Sequence, residues 1–166
     1  MKFLTRGWQN GELSDDQSNA AVQAYRDRIK SIRERLDPDI LALAEEIQLH
    51  DAIIETVSWR PKIRELTITF AAIYSPESGY KAVAITYHNA LLGDSRVETL
   101  RLVANDRRTE LTCSEVDLDD DGNPIHRMLF EPRDEVTIDC SSITLKVSPR
   151  SDRRVHLIPA FLEDQE

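Results

Sequence analysis

The densest run of chemistry-bearing residues in this chain is Asp117-Leu118-Asp119-Asp120-Asp121-Gly122. It puts acids at positions one, three and five and a glycine at six, as the first half of a calcium loop does. The second half departs from that pattern. Met128 stands at position twelve, where a bidentate glutamate is needed, and Pro124 interrupts the loop. The flanks alternate like strands. The spacing therefore predicts an acidic hairpin tip. Asp117, Asp119, Asp120 and Asp121 would form a docking point for a basic partner. Trp59 or Trp8 would supply a buried aromatic anchor if core packing does not claim them.

The other candidates for chemistry are scattered. His50, His88, His126 and His156 form no HxH or HExxH pair. His50-Asp51 is the best-placed pair, since a carboxylate beside an imidazole raises its basicity. Adjacent residues at a helix–strand junction tend to point apart, so His50 is read as the last residue of a helix and Asp51 as a connector. Glu55 shares a face with Ile53, Val57 and Trp59 if its strand is regular. A carboxylate in an apolar row sits at a rim or is functionally perturbed. Glu55, His50 and His88 are thus the catalytic candidates of the alternative to a protein-binding module, a metal-dependent enzyme with a strand-borne Glu/His site. No glycine-rich phosphate loop, GxSxG or SxxK occurs, and Cys113 and Cys140 lie too far apart for a CxxC motif. The cysteines read as small core residues. No metal set and no cofactor is expected.

Hydrophobic periodicity supplies the elements that position these residues. Ser14-Asp15-Asp16-Gln17 is a capping box. Val22, Tyr25, Ile29, Ile32 and Leu36 follow at helical spacing. Pro38 opens a second helix behind a capping Asp37, and Ile40, Leu43, Ala44 and Ile47 form its apolar face. From Ala52 the period is two. Strands are expected at 52–59, 66–70, 83–87, around Leu100 and Leu102, at 109–118 with a bulge between Cys113 and Val116, and at 125–130, 136–140 and 143–147. Ser75-Pro76-Glu77-Ser78-Gly79 joins two of them as a hairpin. The apolar tail from Val155 to Phe161 is expected to dock. The fold class is α+β: two N-terminal helices packed on one face of a curved, mainly antiparallel sheet of about seven strands. A single domain spans 1–166, helical over 14–48 and sheet over 52–148, with a tail at 149–166.

The chain has 166 residues and is 40% hydrophobic, enough for one real core. Its formal charge of -9 disfavours a nucleic-acid or membrane binder and favours a basic protein partner. Arg26, Arg28, Lys30, Arg33 and Arg35 make the first helix locally basic, which reads as a solvated face or one paired with acids of the same molecule. Lys2 is followed by no apolar signal region, and no apolar run is long enough for a bilayer, so a cytoplasmic protein is expected.

The opening Met1-Lys2-Phe3-Leu4-Thr5-Arg6, the helices after it and Leu49-His50-Asp51-Ala52 resemble a loose set of small bacterial proteins, some of them similar to immunity proteins of toxin systems. The resemblance implies a bacterial protein-binding module that masks a partner, and it supplies no catalytic residues.

Overall fold

The computed structural model describes residues 1–75, 79–106, 108–132, 134–150 and 161–163. A short helix, α1 (Arg6–Gln9), precedes the expected pair. Ser14 and Gln17 then exchange both capping-box hydrogen bonds, the Ser14 hydroxyl accepting from the Gln17 N–H at 3.3 Å and the Gln17 amide oxygen from the Ser14 N–H at 3.0 Å. The helix they open, α2 (Asp15–Ile32), runs on through a 3-10 turn over Arg33–Arg35 and buries Ile29, Ile32 and, just past it, Leu36. Pro38 begins α3 (Pro38–Glu45). Asp37 has the backbone geometry of a cap, yet its side chain makes no capping bond. The acid that works here is Asp39, whose carboxylate accepts the Leu145 N–H at 2.9 Å and ties α3 to the sheet.

Seven strands come next: β1 (Ile53–Arg60), β2 (Glu65–Ser75), β3 (Gly79–His88), β4 (Glu110–Leu118), β5 (Pro124–Glu131), β6 (Glu135–Asp139) and β7 (Ser142–Pro149). An eighth, β8 (Phe161–Glu163), pairs parallel to β1. Residues 76–78 and the rest of the expected tail lie outside the described residues, but Ser75 pairs with Gly79 as a β2–β3 hairpin requires.

The α+β class holds, with two revisions. The segment around Leu100 and Leu102 is a helix, α4 (Asp94–Asn105), not a strand. Leu100, Val103 and Ala104 are buried at helical spacing, whereas Leu102 is exposed. The alternation of Leu100 and Leu102 was an accident of two residues, and the surrounding Arg, Glu, Leu and Ala prefer a helix. Second, the strands divide into two sheets, ordered β7-β3-β2-β1-β8 and β4-β5-β6. Alternation marks which side chains share a face and carries no record of which strands share a sheet. In β1 to β3 and β7 the buried row runs through Ile54, Val57 and Trp59, then Leu66, Ile68 and Phe70, then Val83, Ile85 and Tyr87, then Ile143. It shares one core with Met128, Phe130 and Ile138 of the smaller sheet and with the buried residues of α2, α3 and α4. The helices therefore flank two sheets instead of capping one: α2 lies on β4, α3 reaches both β7 and β4, and α4 touches β1, β6 and β8. The β4 bulge falls between Leu111 and Cys113, just before the expected place. Among the described residues no helix is long and apolar enough to cross a membrane.

Candidate functional site: a groove beside an acidic hairpin tip

After β3 the chain turns through Asn89, in the left-handed region at φ 52°. The next two amides are used at once. Ala90 N–H donates to the Arg64 carbonyl at 2.7 Å and Leu91 N–H to the Asp139 carbonyl at 2.8 Å. Residues 90–91 are thereby strung between the Pro61–Ile63 turn, which Arg64 ends in the left-handed region, and the end of β6. Gly93 then takes the cap position of α4 without a side-chain cap. Arg96, one turn in, donates to Asp139 Oδ2 at 2.5 Å and to the Leu91 carbonyl at 3.3 Å, which pins the helix start to β6.

Between these supports lies an open groove of about 950 Å³, lined among others by Trp59, Pro61, Arg64, Leu91, Asp94 and Asp139. Trp59 is only 6% exposed, so it forms part of the wall and core and does not project as an anchor. The projecting apolar groups are others. Leu91 in the groove wall is 56% exposed, and Ile63, in the turn that supplies Pro61, is 55% exposed. No other described large apolar side chain is as exposed as these two. Arg96 and Arg101 have acidic partners in Asp139 and Glu98. Arg64 and Asp94 have none among the described residues.

The hairpin tip stands at the same end of the smaller sheet, since Asp139 pairs with Ile125 and Leu118 with Pro124. It is stiffened from within. Asp119 accepts from the Asn123 side-chain amide at 3.0 Å and from the Asn123 N–H at 2.7 Å, which hold its carboxyl below the usual carboxylate range. Gly122 sits at φ 88°, where a side chain would be strained, and the Arg35 guanidinium lies over it. Asp120 and Asp121 are exposed.

Asp117 is not part of this exposed group. It is buried on β4, where Arg28 Nε donates to it at 2.7 Å, Lys2 Nζ lies at 3.3 Å and Arg127 Nη1 at 3.5 Å. Burial alone would raise its pKa. The hydrogen bonds from Arg28, the Leu118 N–H and Lys2 outweigh it and hold the carboxyl below its ordinary value. Glu115, two residues earlier on the same face, is also buried. It accepts the backbone N–H groups of Lys2, Phe3 and Leu4 at 2.8, 2.7 and 2.5 Å. Arg28 is thus occupied within the molecule, as are Arg33 by Glu45 and Lys30 by Asp27.

The catalytic candidates are not brought together. Glu55 falls at a β-bulge between Ile54 and Thr56, which rotates it out of the buried row and onto Arg150 at 2.6 Å. His88, near the opposite end of the sheet, contacts Thr144 at 2.9 Å and Glu65 at 3.4 Å. His50 lies beyond the end of α3, not in it, and its Nδ1 does meet the Asp51 carboxylate, at 2.9 Å; both are largely exposed. The helix–strand junction does not separate them because Asp51 adopts φ 60°. His126 is fully buried between the sheets, with Nδ1 at 2.7 Å from the Tyr87 hydroxyl, and burial pushes its pKa down to about 3. His156 is outside the described residues. Both cysteines are free thiols, pushed up by burial to about 11 for Cys113 and about 12 for Cys140. Among the described residues no group of three His, Cys, Asp or Glu side chains is placed to hold a metal ion. Trp8 packs back on α2, its indole N–H donating to the Ser18 carbonyl at 3.3 Å.

In comparisons with known proteins, no family model, no curated protein and no solved structure matches this chain.

Sequence reasoning missed the groove. Leu91-Leu92 ahead of Gly93-Asp94-Ser95 was the available signal, an apolar pair breaking off before a helix start. It missed the Glu115–Arg127 and Asp117 pairing too, although a tip at 119–123 fixes the register that sets residue 115 opposite 127.

Proposed function

We propose that this chain is a protein-binding module, with its contact surface at the end that carries the groove and the hairpin tip. The observation that carries the reading is Leu91, the most exposed described large apolar side chain and part of the groove wall, with the comparably exposed Ile63 in the turn that supplies the lining residue Pro61. An exposed apolar side chain in the wall of a concave site with charged groups around it is the kind of surface a partner covers. The tip adds a second property. Asp119, Asp120 and Asp121 form a stiff acidic point on a chain of net charge -9, which steers and holds a basic partner. Masking of such a partner, as immunity proteins mask toxins, is the action this surface suits. It is bacterial and cytoplasmic in this proposal.

The test is affinity capture from extract of the native host, with association rates then measured on the recovered partner. A defined basic protein should be retained, less at high salt. Asp119→Asn with Asp121→Asn should slow its association several-fold, the size of a local steering term. Retention of no protein, or of one insensitive to salt and to the double substitution, contradicts the basic-partner reading.

A further inference from the structure

The charge pattern of the groove differs from that of the rest of the chain. Its lining holds three arginines, Arg64, Arg96 and Arg101, against three acids, Asp94, Glu98 and Asp139, so it is neutral in a molecule of net charge -9. Two of the arginines are matched inside the molecule. What remains is one cation, Arg64, in the turn after β1, and one anion, Asp94, at the start of α4. Both are exposed and neither has an ion-pair partner among the described residues. Leu91 shares the groove lining with them, and the exposed Ile63 precedes Arg64 in its turn. A surface that carries an unmatched cation, an unmatched anion and an exposed apolar side chain in one groove can pair with a copy of itself, cation to anion, as a two-fold interface requires.

We infer that the groove takes a second copy of this chain. The inference rests on the protein-binding reading above and names the occupant of that site. In the pair, Arg64 of one protomer faces Asp94 of its partner, and the two-fold repeats the contact. Ile63 and Leu91 of each protomer pack into the other's groove. Net charge does not oppose this. At about 0.15 M ionic strength charges are screened over about 8 Å, so approach is governed by the neutral patch more than by distant acids. The hairpin tips are not part of the groove lining and stay open to a basic partner.

Sedimentation velocity of the full chain, from about 1 to 100 µM, tests the inference with three single variants and one mixture. Wild type should pass from monomer to dimer across this range. Leu91→Asp should weaken self-association by at least about tenfold, as loss of a central apolar contact does. Arg64→Asp and Asp94→Arg should each be monomeric alone, because each sets like charges opposite one another. Mixed in equal amounts they should form a heterodimer. The acid introduced in the first variant then meets the arginine introduced in the second, while the native Asp94 of the first still meets the native Arg64 of the second. All three substitutions fall at exposed side chains, and circular dichroism checks that each variant is folded. The dimer should persist from about 0.05 to 0.5 M salt, unlike binding steered by the acidic tip. A wild type that stays monomeric, or a dimer untouched by the single variants, or a mixture that fails to recover the dimer, overturns the inference. If self-association is absent while a partner captured from extract is lost with Leu91→Asp, the groove still binds protein and only the second copy is wrong.

Discussion

Removing the Glu115 carboxylate tests whether the β4 acids hold the fold together and so stand apart from the binding surface. In Glu115→Ala three backbone N–H groups, those of Lys2, Phe3 and Leu4, lose their carboxylate acceptor. Arg127 is left with Asp117 as its remaining carboxylate. Hydrogen bonds to a charged group contribute about 1.5–3 kcal/mol each, so the gross loss is about 4.5–9 kcal/mol. The N-terminal segment can lift away and rehydrate its amides, which limits the damage to what docks it. That remainder includes Phe3 against Tyr25, with ring centroids 5.7 Å apart, and Lys2 near Asp117. The expected net cost is about 4 kcal/mol, in the range for breaking a buried charge constellation. Urea unfolding should show it as a midpoint lowered by about 2 M, taking a slope of about 2 kcal/mol/M. Hydrogen exchange should show the amides of residues 2–4 unprotected, and the groove unchanged. A loss below about 1 kcal/mol, or amides still protected, would mean that the carboxylate does not secure this segment.

Three further outcomes are expected. His126 is neutral when folded and titrates near 3, but near 6.5 when unfolded, so the unfolded state binds the extra proton between those values. Stability should therefore fall as pH drops below about 6.5, at about 1.4 kcal/mol per pH unit, until pH 3 is approached. The double substitution His126→Phe with Tyr87→Phe, which removes both partners, should flatten that slope in urea titrations at pH 7, 6 and 5. Asp117 also has a lowered pKa and the same direction of linkage but a lower window: its contribution is present above about 4 and lost only as pH falls below that, so Asp117→Asn should leave the pH 5–7 slope intact. Tyr25→Phe deprives the Val116 N–H of its acceptor at 2.9 Å and should cost about 1 kcal/mol by thermal or urea unfolding, with no change in self-association.

How far the sequence disclosed all this follows from which interactions are local. The capping box of Ser14 and Gln17, the Pro38 start and the alternation of Leu66 to Phe70 in β2 against Val83 to Tyr87 in β3 are set by neighbours within a few residues, and each appears where periodicity puts it. Helix α4 was misread because its start has no side-chain cap: Gly93 serves as a turn residue and a helix cap alike. The split into two sheets depends on contacts far apart along the chain, such as Tyr87 on His126. So does the groove, where Arg64, Leu91 and Asp139 meet through two backbone hydrogen bonds that no spacing rule announces. Asp117 looked like part of a calcium-like run. Only the positions of Lys2, Arg28 and Arg127 reveal it as an interior anchor. Glu55 looked like an acid in an apolar row because a bulge shifts the register by one residue and is invisible in a regular alternation.

A photo-crosslinking side chain placed in turn at positions 91, 102 and 147 separates the groove from ordinary exposed apolar surface. Leu91, Leu102 and Val147 are all exposed, but only Leu91 lines the groove. In cells of the native host, position 91 should yield a discrete protein adduct, of twice the monomer mass if the second copy fills the site, while positions 102 and 147 yield none. Equal labelling at all three positions, or none at 91, contradicts a protein-binding groove.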